Sequence, residues 1–148
     1  MNKNDIIKLI IYFLIAIVLF IVVDIPYLYL NNKTYSKATM DISGQSSYTK
    51  RYYSALLVYV AIALGTFVLV LPRVRTNTIK NMIIDSLIFG GVFGLSSYAI
   101  FDFTMHFMFN KWSFIISIMD SVWGGVLCSI VTFILAYIYK KYNNINLF

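Results

Sequence analysis

The sequence predicts an all-α integral membrane protein, a bundle of four transmembrane helices with no soluble domain. Of its 148 residues, 60% are hydrophobic and only 12% are charged, which leaves too few polar side chains to cover a water-soluble surface. The apolar residues also fall into four runs. Each run is about as long as the roughly 20 residues needed to cross a hydrocarbon layer about 30 Å thick.

The first predicted span covers residues 6–30 and begins among the basic residues near the start of the chain. The connector that follows, residues 31–53, mixes Tyr with Lys, which is typical of a short amphipathic helix at the interface. Its "SGQSS" segment predicts a turn. The second span covers residues 54–71 and ends at Leu71-Pro72, because proline resists continuation of a helix.

The third and fourth spans, residues 83–109 and 113–139, are joined by a short turn around Asn110-Lys111. In lipid there is little hydrophobic drive between helices, so close contact depends on small residues that let the backbones approach. Both spans carry small residues at intervals of four, and one ridge in each span includes an aspartate: Ser86, Gly90 and Gly94 lead to Tyr98 and Asp102, and Asp120 leads to Gly124, Cys128 and Thr132. A neighbouring ridge of the fourth span consists of Ser117, Ser121, Gly125 and Ser129.

The charge distribution sets the expected orientation and partners. The chain has 12 Lys and Arg against six Asp, and it has no Glu. The basic residues flank the apolar runs and form no stripe, so we expect contacts with the lipid bilayer and none with nucleic acid. A small excess of Lys and Arg predicts that both termini are cytoplasmic. The Asn-, Lys- and Ile-rich composition also suggests an AT-rich genome, so a viral membrane stays open.

Asp24, Asp102 and Asp120 are the aspartates that fall well inside the predicted spans. On insertion scales each such residue costs roughly 2.5 to 3.5 kcal/mol, so all three must be partnered or used. Asp102 precedes Asn110 by about eight residues and Asp120 follows Lys111 by about nine, so on an antiparallel hairpin they lie at matching depth. Asp24 lies about six residues before the end of the first span, toward the same side. We therefore expect the three aspartates to share one half of the bilayer.

Two other side chains accompany the aspartates. His106 follows Asp102 by one helical turn and shares its helix face, and Trp123 lies near the level of Asp120. A lone interfacial histidine is more often simply solvated, and a tryptophan at this depth is more often core packing than pocket lining.

Four interpretations of these groups stay open. Asp24, Asp102, Asp120 and His106 are suitable ligands for a divalent cation. The carboxyl groups could instead form a proton path. An aspartate could act as general base in a membrane-facing catalytic pocket. Finally, the aspartates could be purely structural and bond only to neighbouring Ser, Thr and Tyr side chains.

Several stretches together resemble a known family. "VVDIPYLYL", "NKTYSK", "SSYAIFDFT" and "IMDSVWGGVL" are similar, in order and spacing, to the small bacterial membrane proteins of domain of unknown function 2177. The resemblance runs over almost the whole chain. It implies four spans, an Asp before an aromatic residue in the first, a Tyr-Asp-Leu-Thr-Asn-like stretch in the third and Asp-x-x-Trp-Gly in the fourth. The matching positions are Asp24 with Tyr27, then Phe101, Asp102 and Thr104, and finally Asp120, Trp123 and Gly124.

The chain departs from that pattern at two positions. Tyr27 stands where the resemblance implies Trp, and Met105 stands where it implies Asn. If that Asn contributes to a site, either His106 replaces it here or the site is degraded. The resemblance therefore supports the architecture and the three aspartates, and it supplies no activity.

Residues and resemblance together predict a multi-pass membrane protein that handles an ion, a proton or a lipid-related small solute through its aspartates. A divalent cation is the candidate cofactor, and whether the protein is an enzyme stays open. The alternative is a structural membrane component of a virion or a larger complex, with the aspartates as interhelical hydrogen-bond glue. Under either interpretation, a homo-oligomer or a membrane complex is the candidate assembly. The candidate site residues are Asp24, Asp102, Asp120, His106, Trp123, Tyr98 and Thr104.

Overall fold

A computed structural model describes residues 3–44 and 51–142 of the chain, and it confirms the predicted helical membrane architecture there. Every regular element in this part is helical. Four continuous helical segments are long and apolar enough to cross a membrane, and we number them as spans in chain order. They are Lys3–Ser43, Tyr52–Arg73, Ile79–Met108 and Phe114–Tyr142.

The first span is one helix, α1 (Lys3–Ser43), of 41 residues. It continues without a break through residues 31–43, where the sequence predicted a separate interfacial helix. The reason is local, because no residue after Pro26 interrupts the helix until Gly44, whose φ of 68° is the left-handed conformation that commonly follows a helix. Most of the predicted "SGQSS" turn lies outside the described residues.

The last third of α1 packs over the loop between the third and fourth spans. Ala38 lies in a small buried cluster with Trp112 and Ile116, and Tyr35 and Ile42 pack against its edge. The lysines of this stretch are exposed. The amphipathic character predicted from the sequence is therefore present, but on a helix that continues the first span.

The second and third spans each contain a π-helical stretch, a distortion often found at functional sites. The second span comprises α2 (Tyr52–Gly65), a π-helical stretch at Thr66–Val70 and a 3₁₀ turn at Leu71–Arg73. The third comprises α3 (Ile79–Asp85), a π-helical stretch at Ser86–Gly90 and α4 (Gly91–Met108). Each stretch rotates the helix face that follows it, which affects where later side chains point.

The fourth span, α5 (Phe114–Tyr142), contacts all the other spans, and α4 packs against it most closely. A Cβ built on Gly94 would overlap the Gly124 carbonyl oxygen. A Cβ built on Gly124 would overlap the Tyr98 ring. The two small-residue ridges therefore face each other, as predicted, and their continuation brings Asp102 and Asp120 to the same helix pair.

α1 runs antiparallel to α5 along most of its length. Its contacts with α5 pass from Trp123, beside Asp24, to Ile116, beside Ala38. The start of α1 and the end of α5 therefore lie at the same end of the bundle. That this end faces the cytoplasm stays a prediction.

At the same end, an ion pair ties the linker between the second and third spans to α3. Arg75 donates to Asp85 through Nη2 at 2.8 Å and through Nε at 2.9 Å. These hydrogen bonds raise the pKa of the Arg75 guanidinium group. Asp85 is only 3% exposed, so this carboxylate is buried, and both of its oxygens accept from Arg75.

Candidate functional site

Asp24 is a buried carboxyl group with two donors from other helices. It is 5% exposed. The Tyr59 hydroxyl of α2 donates to Asp24 Oδ2 at 2.8 Å, and the Trp123 indole N–H of α5 donates to Oδ1 at 2.7 Å. Asp24 therefore links α1, α2 and α5 through interhelical hydrogen bonds, a type of contact that holds membrane helices together.

Asp120 lies on α5 and accepts hydrogen bonds from two tyrosines of α1. The hydroxyl of Tyr27 donates to Asp120 Oδ1 at 2.8 Å, and the hydroxyl of Tyr35 donates to the same oxygen. The Tyr27 ring also stacks on Trp123, with the ring centroids 4.3 Å apart and the planes within 6°. Because Trp123 donates to Asp24, the surroundings of Asp24 and Asp120 form one connected network.

Asp102, on α4, is fully buried, and neither oxygen of its carboxyl group has a hydrogen-bond partner in the described part of the chain. The nearby donors are engaged elsewhere. Trp112 Nε1 donates to Ser117 Oγ at 3.2 Å, and Ser117 Oγ donates to the backbone carbonyl of Asp102 at 3.0 Å. An unsatisfied buried polar group costs about 1 to 3 kcal/mol, so this arrangement needs an explanation.

A pocket of about 480 Å³ lies between the second and third spans, beside Asp102 and Asp120. Both aspartates and Tyr98 belong to its wall, which is otherwise mainly apolar. Val58 and Phe101, also in the wall, are each 59% exposed on the outside of the bundle. Because that surface faces lipid in an embedded bundle, the pocket opens sideways into the bilayer. We call this cavity the aspartate pocket.

A second cavity of similar size provides an internal comparison. It measures about 460 Å³ and is a groove between the third span and α5. Its wall includes Leu95, Val122 and Val126, and it contains no carboxyl group. We call it the apolar groove. The two cavities differ chiefly in that the aspartate pocket has ionisable side chains in its wall.

The chain matches the family described as "Predicted membrane protein (DUF2177)" over residues 9–137. It belongs to this family. The match includes Asp24, Asp102 and Asp120 and confirms the family membership that the sequence stretches predicted. No curated protein and no solved structure matches the chain. The family description gives a membrane location, which agrees with the four spans of this DUF2177 chain.

Of three other predicted site residues in this DUF2177 chain, one lies at the aspartate pocket and two do not. Tyr98 lies in the wall of the aspartate pocket, with its ring against Gly124. Thr104 is exposed on the outer surface, and its hydroxyl donates to the Ile100 carbonyl at 2.6 Å. His106 is exposed near the loop after α4, with Nδ1 2.8 Å from the Trp112 carbonyl oxygen. The structure therefore brings Tyr98 to the aspartates, but not Thr104 or His106.

The four predicted metal ligands do not form one ligand set. Among the described residues, no three His, Cys, Asp or Glu side chains are grouped so that they could hold a metal ion. Asp24 is engaged with Tyr59 and Trp123, and His106 lies at the loop. A divalent cation at this site stays a prediction, and the described geometry does not add support to it.

Sequence reasoning missed two residues of the network. Tyr59 is a polar hydroxyl in the middle of the apolar "LVYVAI" run, a signal that a partner is needed nearby, but it does not identify the partner. Tyr35 follows Tyr27 by eight residues, which is the same face of a helix. That spacing becomes informative only if α1 is known to continue through residues 31–43.

Proposed function

We propose that the protein binds a lipid-soluble small molecule that enters the aspartate pocket from the bilayer and places its polar group against Asp120, with the buried Asp102 directly behind it. Transport of such a molecule and chemistry on it both begin with this step. The observation that carries the proposal is Asp102, a buried carboxyl group without a described protein partner in the wall of a pocket that opens toward lipid.

The size and wall of the pocket support a small-molecule site. Such sites typically occupy roughly 300 to 1,000 Å³ and are mainly apolar, with a few polar groups that fix the orientation of the ligand. In the aspartate pocket, Ile62, Phe93 and Phe101 provide apolar wall, while Asp102 and Asp120 provide polar groups. A molecule with an apolar body and one polar end matches that division.

The hydrogen bonds of Asp24 favour the alternative, structural role for that residue. Tyr59 and Trp123 satisfy it and tie three helices together. A purely structural protein would gain stability from an apolar residue or a partnered residue at position 102, because an unpartnered buried carboxyl group is unfavourable. We therefore assign Asp24 to holding the bundle and Asp102 to the ligand.

A photoreactive lipid probe tests this proposal. The purified protein, in liposomes of zwitterionic lipid, is irradiated with a long-chain alcohol that carries a diazirine in its chain. Labelled peptides are then identified by mass spectrometry. We expect labels at Val58, Phe93 and Phe101 of the aspartate pocket, and fewer at Leu95 and Val126 of the apolar groove.

Two matched variants make the test specific. Ala61→Trp places a large ring in the wall of the aspartate pocket and should suppress labelling there. Val122→Trp does the same in the apolar groove and should leave labelling of the aspartate pocket unchanged. Equal labelling of the two cavities, with no response to Ala61→Trp, would contradict the proposal.

A further inference from the structure

The carboxyl groups of the aspartate pocket have no counter-charge nearby in the described protein. Every Lys and Arg side chain in residues 3–44 and 51–142 is exposed. The ion pair found there, between Arg75 and Asp85, lies at the other end of the bundle. Asp102 and Asp120 therefore give a mainly apolar pocket two acidic groups without an internal cation.

We propose that the ligand of this pocket is a lipophilic cation, an amine or quaternary ammonium compound with a long apolar chain. This inference rests on the proposed binding function and names its ligand class. A neutral hydroxyl could donate a hydrogen bond to one carboxylate, but a cation also compensates its charge. That compensation is strongest where water is excluded.

The aromatic side chains of the pocket support the same ligand class. Phe93, Tyr98 and Phe101 belong to its wall. A cation is attracted to the face of an aromatic ring when it lies within about 6 Å of the ring centroid, and the attraction is larger without competing water. Carboxylates beside aromatic rings suit an alkylammonium group, whereas an anionic headgroup would be repelled by both aspartates.

Asp120 offers the first contact for such a cation. It is partly exposed, whereas Asp102 is fully buried behind the pocket surface. Tyr27 and Tyr35 both donate to Asp120 Oδ1, and no described residue donates to its Oδ2. The tyrosines therefore fix the Asp120 side chain while leaving one oxygen for the ligand, and Asp102 adds a second acidic group deeper in the wall.

Two probes with the same diazirine-bearing chain separate this inference from the proposed function. One probe ends in a hydroxyl group and the other in a trimethylammonium group. In zwitterionic liposomes we expect the ammonium probe to label the aspartate pocket at a concentration about tenfold or more below that of the alcohol, the effect of one close charge pair. Each probe is also competed with unlabelled dodecyltrimethylammonium, which should displace the cationic probe in a saturable manner.

Charge-removing variants complete the test. Asp102→Asn and Asp120→Asn should each reduce labelling by the ammonium probe to about the level of labelling by the alcohol in wild-type protein. Asp85→Asn removes the same charge at the other end of the bundle and should alter neither. Monodisperse elution in detergent shows which variants are folded, and the competition in wild-type protein decides the question without them.

Each outcome has a distinct meaning. If the alcohol labels the aspartate pocket as efficiently as the ammonium probe does, the cation inference is overturned while the proposed function stands. If neither probe labels the pocket, both are overturned. If the pocket still prefers the ammonium probe in both Asp102→Asn and Asp120→Asn, groups other than these two carboxylates select the cation. That result would also overturn the inference.

Discussion

Asp24 and Asp102 are identical residues buried in the same membrane bundle, yet their surroundings differ. Asp24 accepts hydrogen bonds from Tyr59 and Trp123, whereas neither oxygen of Asp102 has a partner in the described chain. On insertion scales the two carboxyl groups carry a similar cost. The position of an aspartate within a span therefore does not determine its hydrogen bonding, and the donors on the facing helices do.

The donors that face Asp102 are present but used for other contacts. Ser117 donates to the backbone carbonyl of Asp102, and Trp112 donates to Ser117. Neither side-chain oxygen of Asp102 accepts a hydrogen bond in this relay. At Asp24 the corresponding donors point directly at the carboxyl group. In the proposed division of roles, Asp24 therefore holds helices together while Asp102 stays available to a ligand.

The largest effect is expected from breaking the partnered site with Asp24→Ala. This change leaves the Tyr59 hydroxyl and the Trp123 indole N–H without their acceptor. Unsatisfied donors cost about 1 to 3 kcal/mol each, so we expect the free energy of unfolding to fall by roughly 2 to 4 kcal/mol. Titration with SDS from dodecylmaltoside micelles, followed by circular dichroism, measures that change.

Asp24→Asn provides the matched control. Its amide oxygen can still accept from one of the two donors, so it should recover about half of the stability lost in Asp24→Ala. If the two variants are equally unstable, the hydrogen bonds are not the source of the stabilisation, and the assignment of Asp24 as a structural link is wrong.

Asp102→Leu should have an effect of opposite sign. The substitution removes a buried carboxyl group without described partners and fills a similar volume with apolar atoms. Replacing buried charged groups by apolar residues is often neutral or stabilising by about 1 to 4 kcal/mol, and we expect a gain of roughly 1 kcal/mol. The same SDS titration measures this gain in stability. In the labelling experiment, the ammonium probe should no longer label the aspartate pocket more efficiently than the alcohol does.

A loss of stability in Asp102→Leu would argue against the proposed difference between Asp24 and Asp102. If the variant is destabilised as strongly as Asp24→Ala, Asp102 has a structural partner, and the proposed division between the two aspartates fails. If Asp102→Leu instead becomes more stable and loses its preference for the ammonium probe, Asp102 is a functional residue that lowers the stability of the fold.

Smaller effects are expected at Asp120, where two donors share one oxygen. Tyr27→Phe keeps the stack on Trp123 and removes one hydroxyl, and Tyr35→Phe removes the other. Because either tyrosine alone still satisfies Asp120 Oδ1, each single variant should lose only about 0.5 kcal/mol. The double variant should lose more than the sum, with a coupling of about 0.5 to 1 kcal/mol in a double-mutant cycle. Strict additivity would show that the two hydroxyls act independently.

The architecture was predictable because membrane helices must satisfy simple length and packing rules. An apolar run long enough for the bilayer indicates a span, and this predicted the number of spans, four. The small-residue ridges predicted the contact of α4 with α5, which the close approach at Gly94 and Gly124 confirms. The position of Asp102 and Asp120 in one pocket wall agrees with their similar distances from the turn.

The partners of each aspartate were not predictable from the sequence, because they depend on helix rotation. The π-helical stretches at Thr66–Val70 and Ser86–Gly90 change the face that each span presents, and no periodicity in the sequence reveals them. Tyr35 reaches Asp120 because α1 continues beyond the expected end of the first span. A hydropathy pattern locates polar residues in depth, but it does not determine which of them face each other.

The smallest effect is expected from His106→Gln, which also tests the predicted metal ligation. His106 is exposed, and the contact of its Nδ1 with the Trp112 carbonyl is near the loop and away from the wall of the aspartate pocket. Surface substitutions of this kind usually change stability by less than about 0.5 kcal/mol, and glutamine keeps a donor for that carbonyl. We expect unchanged labelling by the ammonium probe and an unchanged metal content by elemental analysis of the purified protein. A metal that is bound by wild-type protein and lost in both His106→Gln and Asp102→Asn would instead show that the histidine and Asp102 meet at one ion in a state different from the one described. That result would move the site from the aspartate pocket toward the loop.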